Sequence, residues 1–514
     1  MTYSQHPKYD VQDNLAFLDS ELFHAVQMAG LFDDSKAFAD ALPKCDYAKV
    51  TQHYDQQVSA SDFNLRSFVN AHFDLPQPLE LRDVISQDVR SQIEALWDKL
   101  ARQPDHPQND SLIPLQHGYL VPGGRFREIY YWDSYFTALG LMISGREALV
   151  KSMIYNFIEL QQQVGCIPNG NRNYYRSRSQ PPVLGLMIDL IVEAQTDEQE
   201  KLNFIAATVA GLETEYRFWM DGAQNLSVSD CAKRRVVRMP NSQVLNRYWD
   251  DSATPRPESY REDMEAASAL EASQRNDYYR NIRAACESGW DFSSRWLAEH
   301  NNLSSIQTTH IIPVDLNALL WKVEKLLAKY HTLLGQHARA IEFSENADKR
   351  KQAIDYYLWD TQRQFYYDYN FVAAQQTTVK SLAAAVPLFV EMANDAQAES
   401  VLQCIAHDFV CTGGLITTTE HTSQQWDSPN GWAPLHWFTV QAARNYANTN
   451  LAELIMQRWL NTVENHFQQH GNLMEKYDVI SAAQLAQGGE YEVQHGFGWT
   501  NGVTLKFYDL LTKG

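Results

Sequence analysis

Carboxylates, guanidiniums and indole rings crowd three short stretches of this chain: Pro122-Gly-Gly-Arg-Phe-Arg-Glu-Ile-Tyr-Tyr-Trp-Asp-Ser-Tyr135, Glu287-Ser-Gly-Trp-Asp-Phe-Ser-Ser-Arg-Trp296 and Gln425-Trp-Asp-Ser-Pro-Asn-Gly-Trp-Ala-Pro434. That mixture suits neutral sugars. A pyranose lays its C–H face on a flat ring, and its hydroxyls meet charged donors and acceptors, whose hydrogen bonds are the stronger kind. Carboxylates held beside such a ring can also cleave a glycosidic bond.

Each stretch carries a plainer alternative. Gly123 and Gly124 let the backbone turn tightly and approach a ligand, after which Arg125 and Asp133 offer a donor fork and an acceptor; the same two side chains could instead form a buried structural pair. Asp291 lies between Trp290 and Phe292. Poorly solvated surroundings raise a carboxyl pKa toward what a proton donor needs, yet an Asp before Phe-Ser-Ser-Arg-Trp also reads as a helix N-cap. Two further loops are polar and rich in arginine: Ile167-Pro-Asn-Gly-Asn-Arg-Asn-Tyr-Tyr-Arg-Ser-Arg-Ser-Gln-Pro-Pro182, and Arg256-Pro-Glu-Ser-Tyr-Arg-Glu-Asp263, which follows Trp249-Asp-Asp251. Towards the C-terminus, Glu475 in Met474-Glu-Lys-Tyr-Asp478 and Glu490 in Gln487-Gly-Gly-Glu-Tyr491 bracket a small loop able to close over a ligand. The alternative for Glu475 is a surface bridge to Lys476. Zincin motifs, phosphate-cradling loops and serine elbows are missing from the sequence, and its sixteen histidines show no metal spacing. The chemistry falls to carboxylates, with no metal or cofactor called for.

The elements that must hold these loops read as helices. A 3.6-residue apolar repeat runs over 88–102, 148–164, 202–219, 314–334, 338–358, 381–405, 434–447 and 451–467, while alternating strand patterns are scarce. The dipeptide Trp-Asp occurs six times, but at gaps from 35 to 117 residues, unlike propeller blades at about 40–45. Trp97 and Trp359 read as helix-end packing. No linker divides the chain, so residues 76–514 form one catalytic domain, with residues 1–75 an irregular arm packed on the body. The net charge of −20 opposes nucleic-acid binding. A polar start and the want of a long apolar run oppose a membrane, and six scattered cysteines fit a reducing compartment. The expectation is a cytoplasmic, monomeric protein acting on a small molecule.

At these motifs the chain resembles the trehalases, glycoside hydrolases that split α,α-trehalose into two glucoses, from Leu31-Phe-Asp-Asp-Ser-Lys-Ala-Phe38 to Gly502. The resemblance implies an all-α (α/α)6 toroid and hydrolysis with inversion. By motif it makes Asp291 the general acid and Glu475 the general base. It also carries over substrate contacts: Arg125, Trp132 and Asp133 from the first motif, Asn169, Arg178, Ser179 and Gln180 from the polar loop, then Arg256, Glu258, Gly289 and Glu490. Rivals are another (α/α)6 glucosidase and a trehalose-binding sensor without turnover. Two departures stand out. The segment 482–489 before Glu490 holds fewer glycines than the family's, and His495 stands where the family often has Asp.

Overall fold

A computed structural model describes residues 11–77, 79, 81, 86–481, 486 and 488–513. Helices α1 (Val89–Leu100), α2 (Tyr131–Ile143), α3 (Glu147–Val164), α4 (Leu184–Ala194), α5 (Glu198–Trp219), α6 (Val314–Leu333), α7 (His337–Tyr357), α8 (Val386–Phe389), α9 (Asp395–Asp408), α10 (Ala433–Asn445), α11 (Thr449–His470) and α12 (Gly498–Lys513) alternate between an inner and an outer ring. The even-numbered helices touch their neighbours in order, and α12 closes back on α2. Of the odd-numbered ones, α3 packs on α2 and α4, α5 on α4 and α6, and α11 on α10 and α12. This is an (α/α)6 toroid.

Burial explains the sorting. Every residue of α2 from Tyr131 to Leu141 is buried, as suits a helix covered on all sides. The outer α5 and α11 each bury one stripe and leave charged residues outside. The closing joint depends on glycine: a Cβ on Gly140 of α2 would lie 2.6 Å from the Gly502 Cα of α12, and one on Gly502 would lie 2.1 Å from the Phe136 carbonyl.

Two expectations need correction. The repeat over 381–405 is not one helix. It breaks after α8, and Asn394 restarts α9 with a capping box in which Asn394 and Gln397 serve each other's backbone N–H. The N-terminal arm is not irregular either. Its described residues form helices Val11–Leu18, Glu21–Met28, Ser35–Ala39, Tyr47–Gln57 and Leu65–His72, and three of them are capped: Ser20, Asp34 and Asn64 each accept a backbone N–H of the following helix. The arm has its own apolar cluster, including Phe17, Phe23, Phe38 and Tyr47, which Tyr130, Tyr174 and Tyr175 of the body complete.

The motifs occupy connections between helices and, at Trp132 and Asp133, the first turn of α2. Strand β1 (Asn430–Trp432) pairs antiparallel with β2 (Lys476–Asp478), with Trp432 opposite Lys476. That ladder ties the Gln425–Pro434 motif to the Met474–Asp478 motif. No helix among the described residues is long and apolar enough to cross a membrane. All six cysteines are free thiols.

Candidate active site

The Gly-Trp-Asp loop begins where the helix Ala272–Ser288 ends. Gly289 caps that helix at φ +74°, a left-handed turn that glycine makes without cost, and a Cβ there would touch the Trp132 ring at 3.4 Å. Trp290 then stacks on Trp426, with ring centres 5.6 Å apart, and Trp426 stacks on Trp432 at 3.9 Å. Asp427 clamps the two loops. Its carboxylate accepts hydrogen bonds from Ser293 Oγ (2.9 Å), Ser294 N (2.8 Å), Ser294 Oγ (2.9 Å), Thr418 Oγ1 (2.8 Å) and Thr422 Oγ1 (2.6 Å). Asp291 is not a cap; Ser293 caps the short turn Ser294–Trp296. The Gln425 amide instead donates to the Asp291 carbonyl, leaving the carboxyl for the cavity.

That cavity is walled by the Trp426 and Trp432 rings, by Arg178 and Glu258, and by Glu490 and Tyr491. Asp291 and Glu475 both line it. Burial pushes the Asp291 carboxyl up to about 7. Arg256 opposes the rise and Glu490 adds to it, but the Arg256 charge is largely spoken for: its Nη2 lies 2.5 Å from Asp263 Oδ1 and 2.8 Å from Glu490 Oε1.

Glu475 is no surface residue. It and Lys476 are each 1% exposed, so the bridging alternative falls. The ammonium of Lys476 donates to Gln425 Oε1 and to the Gly488 carbonyl, both at 2.8 Å, and burial pushes its pKa down to about 8. Burial also raises the Glu475 carboxyl. The Lys476 charge opposes this first, then a 2.9 Å hydrogen bond donated by the Tyr491 hydroxyl to Glu475 Oε1. Arg125 adds to that opposition, whereas Arg178 and Arg256 are committed to Glu258, Asp263 and Glu490. Asp133 is a third carboxyl in the cavity, held well above its usual range by burial and by the neighbouring Glu475 charge.

The polar wall is pre-organised. Arg178 donates from Nε to Asn169 Oδ1 (2.9 Å) and from Nη2 to Glu258 Oε1 (2.6 Å). Glu258 Oε2 is buried with no hydrogen-bond partner among the described residues, an acceptor suited to a hydroxyl. Gln180 Oε1 receives the Trp132 N–H at 2.9 Å. Arg125 does not pair with Asp133 as the structural alternative had it; its partner is Asp34 of the arm, at 2.7 Å.

Of the residues that the sequence singles out, Arg125, Trp132, Asp133, Asn169, Arg178 and Gln180 line the cavity, as do Arg256, Glu258, Gly289 and Glu490. Ser179 does not. It is buried beside the site, its hydroxyl donating to the Ile167 carbonyl and its N–H to Glu287 Oε1. Trp97 and Trp359 also stay away from the lining. Sequence reasoning missed Tyr491, Trp426 and Trp432 as lining residues, although each falls inside a quoted motif, and also Trp499 at the start of α12. Residues 482–485 and 487 of the shortened glycine segment lie outside the described residues. His495 pairs its backbone with Met474 in an isolated bridge.

Residues 30–512 match the family model "Trehalase". The fold is similar to the neutral trehalase of Saccharomyces cerevisiae, with a TM-score of 0.65 at 21% identity over 97% of this chain and 94% of that one. It is also similar to the GH63 mannosylglycerate hydrolase of Thermus thermophilus, with a TM-score of 0.55 at 17% identity over 82% of this chain and 100% of that one. Likeness at these identities concerns the fold.

Proposed function

The chain belongs to the trehalase family, and on that premise we propose that its cleavage of α,α-trehalose runs with inversion, Asp291 acting as general acid and Glu475 as general base. The enzyme is a glycoside hydrolase acting on a small sugar. Protonated Asp291 donates to the bridging oxygen as the C–O bond breaks. Glu475 takes a proton from a water that attacks the anomeric carbon from the opposite face. Room for that water requires carboxyl groups about 6.5–9.5 Å apart.

What supports the assignment is an asymmetry within one cavity. The Asp291 carboxyl is held near 7 by burial, while Glu475 has a buried ammonium next to it and a hydroxyl donating to it. Burial raises both carboxyls, but Glu475 alone receives a side-chain hydroxyl that favours its charged form, as suits the base of such a pair. Arg125, Arg178, Arg256, Glu258 and Glu490 supply charged hydrogen bonds for hydroxyls, which would reject an analogue lacking one of them. Unpaired thiols support a cytoplasmic setting, and we take the enzyme to act as a monomer. Two carboxyls and water suffice for the reaction.

Glucose release by the purified protein from trehalose, maltose and kojibiose tests the reading. Trehalose is expected to be the one good substrate; comparable turnover of maltose, or none of trehalose, would overturn it.

A further inference from the structure

We propose that Asp34 of the N-terminal arm is a positioning residue of the active site, one that fixes Arg125 so that a guanidinium nitrogen stays free for the sugar. The inference rests on the reading of Arg125 as a substrate contact. Asp34 lies outside the toroid, in the segment Leu31–Phe38 where the resemblance begins, and none of the chemistry above uses it.

The geometry is that of a bidentate fork. Arg125 Nε donates to Asp34 Oδ2 at 2.8 Å and Nη2 donates to Asp34 Oδ1 at 2.7 Å. Nη2 also reaches the Glu258 carbonyl at 3.4 Å. Nη1 has no partner among the described residues, and Arg125 lines the cavity. The guanidinium lies 4.5 Å from the centre of the Tyr491 ring, whose hydroxyl holds Glu475. A planar fork gripped along one edge has its remaining nitrogen aimed in a fixed direction. The arm itself is anchored for this purpose: Asp34 caps the helix Ser35–Ala39 by accepting the Lys36 N–H at 2.9 Å. The next residue but one, Lys36, is fully buried against Asp40 (2.5 Å) and Glu128 (2.7 Å). The cavity wall is thus braced from behind, through Arg125, by a residue that the ring does not supply.

Asp34→Asn keeps an oxygen for the cap but turns an N–H toward Arg125. With wild-type turnover of trehalose as the reference, this variant is expected to lose about 10- to 100-fold in kcat/KM, since small misplacements of a positioned group cost up to about that much, and to do so mainly through KM. In an Arg125→Met background the same substitution is expected to cost less than about twofold, because its effect passes through Arg125. Retention of kcat/KM within about twofold by Asp34→Asn, or an equal loss in both backgrounds, would overturn the proposal. Should Asp34→Asn fail to fold, Asp34→Glu, whose longer arm pushes the fork inward, is expected to show the same loss and the same dependence on Arg125. If the wild type does not cleave trehalose, the functional reading falls separately. A crystal structure of Asp34→Asn then decides the inference: a displaced Arg125 guanidinium supports it, an unmoved one contradicts it.

Discussion

Asp291 and Glu475 share a cavity but not an environment, and a pH profile reads the difference. The acid works only while protonated. With Asp291 held near 7, kcat/KM is expected to fall about tenfold per pH unit above that point. On the acid side the rate falls as Glu475 gains a proton, at a pH above the ordinary glutamate range because burial raises it. The basic limb should vanish, along with most activity, in Asp291→Asn. Asp291→Asn and Glu475→Gln are each expected to lose about 10²–10⁴-fold in kcat while still binding trehalose by calorimetry. A variant that keeps its rate removes that residue from the role given to it.

The loops behave as coupled elements, and Asp427 is where they couple. It takes five hydrogen bonds, two of them from Ser294, two residues after Phe292. Asp427→Ala leaves buried donors without a partner, so we expect a loss of about 2–4 kcal/mol in urea unfolding and, because the Asp291 loop loosens, a drop in kcat larger than any change in KM. Unchanged kcat in a folded Asp427→Ala protein would mean that the Trp290–Trp426–Trp432 stack holds the loop alone. The outer helices were legible in the sequence because each shows the ring one apolar stripe, whereas the inner α2, buried on every side from Tyr131 to Leu141, shows none and went unread, as did α4 and α12. Less legible were the elements that capping residues delimit. Asn394 and Gln397, a capping-box pair, mark the true start of α9 in the sequence, yet the apolar run across them reads as one helix. Ser20, Asp34 and Asn64 likewise start helices in an arm that reads as irregular. Asp291 stood out by its aromatic neighbours and Glu475 by its loop, but their pairing as acid and base came only from the family's motifs; nothing in local sequence brings positions 291 and 475 into one cavity. That requires closure of the ring and the β1–β2 ladder. Asp34 was illegible for the same reason, its partner lying far along the chain.

Over the whole molecule, several carboxyls are held above their ordinary range by burial: Asp133, Asp291 and Glu475 in the cavity, and Glu215, pushed up to about 8 beneath Tyr131. A raised carboxyl pKa means that the folded chain keeps its proton longer than the unfolded one. That contribution to stability is full below about pH 4 and is lost as pH rises toward the folded values. Carboxylates lowered by arginine and lysine partners, such as Asp40 and Glu258, act in the opposite sense at the acid end. Thermal stability should therefore decline between about pH 5 and 8. Glu215→Gln, which still accepts from the Tyr131 hydroxyl, should raise Tm relative to wild type more at pH 8 than at pH 5, as followed by calorimetry. An equal shift at both values would deny that Glu215 is protonated in the folded protein. The site's acid chemistry and the molecule's pH tolerance thus share one physical cause, burial of carboxyls inside the ring.

Inversion by this pair of carboxyls is most directly tested by proton NMR of the first minutes of trehalose hydrolysis, before the anomers equilibrate. Attack of water on one glucose, from the face opposite the bridging oxygen, predicts β- and α-glucose in equal amounts. Appearance of α-glucose alone would contradict the account.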